Sequence, residues 1–352
     1  MNFREKHGPV GLVAGASEGL GEAFARALAA GGLDLTLVAR RKEPLKRVSE
    51  EITNVFGVKV RTIVCDLTAD HATEEIRLAL PGTRINCLVY KAASSQIGHF
   101  ERHPLPEHLQ VVSINIVTPL RMLHEFGSAM LTDERGAILI MSSLAGFQGS
   151  GFLATYAASE AFSKVMAESL WYEWKDKGVD VLACCAGAIA TPGYLKSRPK
   201  PIGWLVPRPE KPEAVVEESL NRIGRSPSFV SGQGNRIATY FMQQLLPRKR
   251  GCSYHGSDNE EDVRHYGLAA FSQPGQFRPG QRNRIPSRRR NRPRNKIRRK
   301  HLVDVSSLKF WTRFQDKECH SVMYIHYSMV MGMVIHCGFC WSYLGFRSQF
   351  IK

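Results

Sequence analysis

A chain of 352 residues with 43% hydrophobic content has room for a sizeable core, which excludes a wholly disordered protein and leaves space for one large or two ordinary domains. The formal charge of +16 suggests a nucleic-acid partner until it is located: residues 248–300 hold 16 Lys and Arg against 4 Asp and Glu, a surplus of +12. The first 247 residues are therefore close to balanced, and the basic character belongs to a tail.

The opening residues, MNFREKHGPVG, carry no apolar stretch, so no signal peptide is expected. Residues 10–21, VGLVAGASEGLG, combine an apolar strand-like run with Gly15, Gly19 and Gly21, and a helical pattern follows at once. A strand-to-helix turn bare of side chains lets a pyrophosphate approach the backbone, where the free N–H groups and positive dipole end of a helix meet it. Ser17 lies inside this turn. The spacing is G-x-x-x-G-x-G, and a plain tight turn would read the same way if it stood alone.

A second strand over residues 34–38 runs into Ala39, Arg40 and Arg41, about twenty residues past the last glycine, where an acidic residue would hold a free ribose 2'-hydroxyl. Arg40 suits a 2'-phosphate instead, so NADP(H) is expected over NAD(H); a solvated basic surface turn is the alternative. A third strand over residues 58–64 ends at Cys65-Asp66-Leu67, where Asp66 either meets an adenine or caps the helix that follows. Further strands are expected over residues 85–89, 136–141 and 179–184, with helices over 109–122 and 152–175. The alternation predicts a parallel sheet with helices on both faces. Asn115, Ser142-Ser143, Tyr156 and the run Gly187 to Thr191 then fall at strand ends or on helices facing that edge. Cys65, Cys87, Cys184 and Cys185, four of the eight cysteines, lie in or beside apolar runs as reduced core thiols do, so a cytoplasmic setting is expected.

Over about residues 8–249 the chain resembles the short-chain dehydrogenase/reductase family, whose dinucleotide motif is matched by Gly15, Gly19 and Gly21. The resemblance implies a three-layer doubly wound α/β fold (a Rossmann fold) as a single domain over residues 1–250. It also implies an NAD(P)-dependent oxidoreductase that interconverts a ketone and a secondary alcohol. Ser143 and Tyr156, thirteen apart, match the family's catalytic serine and tyrosine, and Asn115 the asparagine of its active-site helix. Asp66 matches its adenine-contacting aspartate, and Ile189 with Thr191 the segment that meets the nicotinamide carboxamide. Residues 232–248 resemble the end of bacterial members near the long-chain 3-oxoacyl reductases and hydroxysteroid dehydrogenases. A homo-oligomer is implied by the resemblance alone. Read without the family, Ser143 is a strand-end cap, Tyr156 a core aromatic and Asn115 a helix kink.

Hydride delivery to a carbonyl carbon leaves charge on the oxygen, so the chemistry needs a hydrogen-bond donor and a proton source there. In the family a lysine four residues after the tyrosine, one turn along the same helix face, eases proton exchange. Here that position is Glu160. A charge pair at 4 Å is worth ~4 kcal/mol at an effective dielectric near 20, and reversing its sign roughly doubles the change. Turnover is therefore expected to be weak or absent, and an inactive nucleotide-binding or interaction protein on the same scaffold is the alternative. Three arrangements would relieve the conflict: a protonated Glu160, Lys164 reaching back, or Lys91 approaching from the neighbouring strand end. Nothing in the spacing favours any of them. Ala14, the run Tyr90-Lys91-Ala92-Ala93 and Ala186 also depart from the family's threonine, Asn-Asn-Ala-Gly turn and Pro-Gly pair.

Residues 192–212 stand where the family places a substrate lid, and Leu195, Ile202, Trp204, Leu205 and Val206 suggest a greasy carbonyl or alcohol substrate such as an acyl ketone or steroid. Residues 251–300 are a basic low-complexity segment that cannot bury a core and is expected to be disordered, with nucleic-acid contact a lesser alternative. Residues 322–346 carry no acidic residue, Lys or Arg, but their His and Ser content makes a poor membrane span. His336, Cys337 and Cys340 form a weak metal-like pattern, and no metal is expected. Residues 301–352 read as a possible non-native end: residues 251–267 admit codons whose shifted frame encodes an amphipathic basic helix.

Overall fold

The computed structural model describes residues 2–196 and 207–244. Seven strands, β1 (Val10–Ala14), β2 (Asp34–Ala39), β3 (Val60–Val64), β4 (Cys87–Tyr90), β5 (Gly136–Ser143), β6 (Val179–Ala186) and β7 (Ser228–Val230), form one sheet in the order β3-β2-β1-β4-β5-β6-β7. Every neighbouring pair is parallel. The three-layer doubly wound Rossmann architecture expected from the alternation is the one observed.

Side chains of β1 divide between two cores because successive residues of a strand point to opposite faces. Val13 packs with Leu20, Phe24 and Leu28 of helix Gly19–Ala30 and with Leu45, Val48 and Ile52 of helix Lys42–Phe56. Leu12 and Ala14 face the other way, toward Met122, Phe126 and Met130 of helix Thr118–Thr132 and Ala167 of helix Ala154–Trp174. Near-continuous apolar strands are what a sheet covered on both faces requires.

A short helix, Phe3–His7, lies at the amino ends of the strands. Asn2 and Glu5 cap it reciprocally, Lys6 and His7 reach Asp180 at the start of β6, and Arg135 donates to the carbonyls of Arg4 and Lys6. The opposite edge is left open for chemistry. There β1 and β4 are neighbours, and their connections leave in opposite directions, which makes the crevice between their carboxyl ends the natural ligand site of such a sheet.

Boundaries shift from expectation in instructive ways. The helix expected over residues 109–122 is three pieces, Leu105–Val112, a π-helical turn Ser113–Val117, and Thr118–Thr132. The structure adds β7 and the helix Phe3–His7, both too short to leave a periodic signature. Ile202, Trp204, Leu205 and Val206, and every reading placed on residues 251–352, fall outside the described residues.

Candidate active site

The crevice is lined first by backbone. Gly15, at φ 89°, sits where a Cβ would come within 2.8 Å of the Ala92 nitrogen. A Cβ on Gly21 would stand 2.0 Å from the Gly15 carbonyl oxygen, so only glycine lets helix Gly19–Ala30 start this close to β1. A Cβ on Gly19 would come within 3.0 Å of the Thr191 side chain, so the segment after β6 lies close over the start of that helix. Ala92 and Lys91 both donate to the Ala14 carbonyl at 3.0 Å, closing the floor. Bare backbone at a helix N-terminus fits a dinucleotide pyrophosphate.

Ser17 is nearly buried in this turn, and its Oγ accepts a hydrogen bond from Arg41 at 3.2 Å. Arg41 also pairs with Glu18 at 2.9 Å. The guanidinium over the cradle is thus that of Arg41, while Arg40 is exposed at the end of β2. Lys91 belongs to the same charge group: burial lowers its pKa, Glu18 opposes that shift and Arg41 adds to it. Asp66 is exposed, and its carboxylate accepts from the backbone N–H and hydroxyl of Thr68 at 3.0 and 2.9 Å, an Asx turn ahead of helix Ala72–Leu78.

Across the crevice, Ser143 ends β5 and Tyr156 opens helix Ala154–Trp174. Both are about 98% or more buried, and their hydroxyls hydrogen-bond. Glu160, one turn on, is 4% exposed and hydrogen-bonds the same phenol. Burial pushes the Glu160 carboxyl up to about 8, the Tyr156 contact opposing the shift, so the group is neutral at neutral pH. Burial and Glu160 together push the Tyr156 phenol well above its ordinary 10, Ser143 opposing. Lys164 pairs with Glu168 at 2.7 Å and lies over the Phe147 ring, and the charges that shift Lys91 are those of Glu18 and Arg41 at the glycine turn.

Asn115 does not reach this pair directly. Its amide brackets the Ser94 backbone, accepting from its N–H at 2.8 Å and donating to its carbonyl at 2.9 Å, and donates to Ser159 Oγ at 2.8 Å. Ser159 in turn donates to the Tyr156 carbonyl at 2.8 Å. The clamp ties the loop after β4 to helix Ala154–Trp174 from a π-turn, a helix irregularity common at functional sites. Tyr90 holds the same turn by donating to the Ile114 carbonyl at 2.5 Å. Ile189 is buried and Thr191 Oγ1 accepts from the Tyr194 N–H at 3.3 Å, while residues 188–190 exchange backbone hydrogen bonds with Glu210. Sequence reasoning missed the Glu18–Arg41 pair and the Ser94–Asn115–Ser159 clamp, because both depend on residues brought together only by the sheet. Among the described residues no group of three His, Cys, Asp or Glu could hold a metal, and no helix is long and apolar enough to cross a membrane.

A neutral buried carboxyl has a thermodynamic signature. In the unfolded chain Glu160 ionises near 4.5 and in the folded protein near 8, so between those values the unfolded state releases a proton that the folded state keeps. Stability should therefore fall as pH rises from about 4.5 to about 8 and level off above, at about 1.4 kcal/mol per pH unit from this group. Thermal melts of Glu160→Gln should lack that portion of the slope and lie above wild type near pH 8. Parallel slopes in the two proteins would contradict a neutral Glu160.

A parallel sheet with a glycine cradle at its switch point and a serine–tyrosine pair across the crevice defines a dinucleotide-dependent oxidoreductase scaffold. The model of the short chain dehydrogenase family matches residues 9–201. The 7beta-hydroxysteroid dehydrogenase of Collinsella aerofaciens is 33% identical over 259 residues, covering 73% of this chain and 98% of that protein. A very-long-chain 3-oxoacyl-CoA reductase of Anas platyrhynchos is 30% identical, covering 60% and 68% of the two chains. A solved structure concerned with 7beta-hydroxysteroid dehydrogenase stereoselectivity superposes with a TM-score of 0.70 at 30% identity, covering 73% of this chain and all of the other. The chain belongs to the short-chain dehydrogenase family, oxidoreductases that work with nicotinamide dinucleotides.

Proposed function

We propose that the protein is an NADP(H)-dependent reductase that interconverts a ketone and a secondary alcohol on an apolar substrate, steroid-like or acyl, in a catalytic domain spanning residues 1–250. The observation that carries this reading is the buried contact of Ser143 with Tyr156 opposite the glycine cradle. In it, Ser143 donates a hydrogen bond to the substrate oxygen and Tyr156 transfers the proton, while the bound dinucleotide supplies the hydride. Asn115 positions the loop and helix around them. The steroid-like and acyl alternatives draw on the names of the similar proteins, 7beta-hydroxysteroid dehydrogenase and very-long-chain 3-oxoacyl-CoA reductase. A panel running from steroid ketones through long-chain 3-oxoacyl esters to small polar ketones tests the substrate class by NADPH oxidation. A preference for small polar ketones would remove it.

Preference for the phosphorylated dinucleotide is supported by Arg41, whose guanidinium lies at Ser17 in the cradle. Arg41→Ala should weaken NADPH binding at least ~10-fold while leaving NADH binding within a factor of two or so, because one charge-assisted hydrogen bond is worth roughly 1.5–3 kcal/mol. Equal losses for both cofactors, measured by calorimetry, would assign Arg41 to general cradle structure. Arg40, Asp66, Ile189 and Thr191 are proposed as further cofactor contacts. A homo-oligomer and a cytoplasmic setting complete the proposal, the former supported by the exposed apolar Val165 and Tyr172 on helix Ala154–Trp174 and checked by sedimentation.

A second reading, a non-catalytic dinucleotide-binding protein, is favoured by one observation, the acidic residue at Glu160. NADPH binding without turnover on any ketone would select it.

A further inference from the structure

Tyr156 and Glu160 lie one turn apart on the buried face of helix Ala154–Trp174, side chain to side chain, and Ser143 meets the same phenol from β5. The Glu160 backbone is fixed too, its carbonyl accepting from Ser142 Oγ at 2.9 Å, and a Cβ on Gly146 would come within 2.8 Å of its carbonyl carbon.

We infer, resting on the reductase reading above, that Glu160 is a proton-relay residue: its buried carboxyl group, one helical turn from the phenol, gives a proton to the Tyr156 oxygen as Tyr156 gives its own to the substrate oxygen. In the reduction the carbonyl carbon gains a C–H bond with the electron pair of the hydride, the reduced dinucleotide being oxidised. The carbon–oxygen π bond breaks and its electrons take up the Tyr156 proton. The phenol oxygen is reprotonated by the Glu160 O–H, and water returns a proton to the carboxylate once product leaves. One hydride and one solvent proton are consumed in all. Reversed, the Glu160 carboxylate accepts the Tyr156 proton while the alcohol is oxidised.

The proton moves downhill in the reductive sense, because a carboxyl near 8 is a stronger acid than a phenol held well above 10. From β6 the titratable neighbour is Cys185, whose thiol burial pushes up to about 12. β5 brings Ser142 and Ser143, the turn Leu144–Phe147 brings no ionisable side chain, and the π-turn brings Asn115. Helix Leu105–Val112 brings His108, whose ring nitrogens bond Thr155 Oγ1 at 2.8 Å and the Phe100 carbonyl at 3.0 Å. On Glu160's own helix, Lys164 is held by Glu168. A lysine here would lend charge to the phenolate; a carboxylic acid lends a proton, which suits reduction below its pKa and oxidation above it.

The test uses the full chain and Glu160→Gln, which keeps the shape and removes the acidic proton. Infrared difference spectra of the cofactor-free protein should contain a protonated carboxyl band at about pH 6 that disappears with a midpoint near 8 and is missing in Glu160→Gln. With NADPH and the most reactive ketone, wild-type kcat should fall about tenfold per pH unit above that midpoint. Glu160→Gln should run at least ~100-fold slower with a flat profile, its NADPH affinity by calorimetry unchanged. An ionised Glu160 at about pH 6, or a Glu160→Gln rate and profile equal to wild type, overturns the relay alone. Absence of turnover in both proteins at every pH overturns the reductase reading and the relay together.

Discussion

Glu160→Lys should raise NADPH-dependent ketone reduction by ~100-fold or more over wild type at neutral pH. The existing carboxyl is neutral there, so the substitution takes the site from zero to +1, not from −1 to +1. An ammonium about 4 Å from a forming phenolate is worth ~4 kcal/mol at an effective dielectric near 20, and even half of that lowers the Tyr156 pKa by more than one unit. The phenol that Glu160 already touches lies one helical turn away, within reach of the longer side chain. The measurement is NADPH absorbance with a ketone panel, run beside a melt to confirm folding. Robust and equal rates in the two proteins would mean that the charge at this position does not limit turnover.

Gly21→Ala should abolish dinucleotide binding. A methyl group there stands 2.0 Å from the Gly15 oxygen and 2.8 Å from its carbon, both backbone atoms, so the clash cannot be relieved by a rotamer change. Helix Gly19–Ala30 must move off β1, which displaces the N–H groups that would meet phosphate and opens the packing of Leu20 and Phe24. Overpacking of this kind costs roughly 1–3 kcal/mol of stability. Gly57→Ala is the matched control: it is left-handed at φ 68° but meets nothing within 4 Å, so it should lose stability by ~1 kcal/mol and bind NADPH as wild type does. Calorimetry on both variants separates a lost pocket from general destabilisation. Normal NADPH affinity in Gly21→Ala would place the cofactor elsewhere.

The sheet and its glycine cradle were legible in the sequence because each rests on local pattern: apolar strands alternate with amphipathic helices, and three glycines mark the joint. Family membership was legible for the same reason, from Gly15, Gly19, Gly21, Ser143 and Tyr156. What escaped depends on distance in space. Arg41, two residues past the end of strand β2, bonds Ser17 across the glycine turn, a contact between residues 24 apart in the chain. Asn115 spends its amide on Ser94 and Ser159, one on another loop and one on another helix, and no spacing rule reports that. The state of Glu160 was the hardest to read. Its charge type invited the simple Coulomb argument, whereas its burial decides which form is present at all.

Cys65, Cys87, Cys184 and Cys185 are free, buried thiols, and desolvation drives each pKa upward, to about 12 for Cys65 and Cys87. Thiolate is the reactive form, so these sulfurs are inert to alkylating and disulfide reagents while the sheet is closed. Each sits in or next to a different part of β3, β4 or β6, so peptide mapping after brief alkylation in rising denaturant would report, sulfur by sulfur, the order in which the strands let water in.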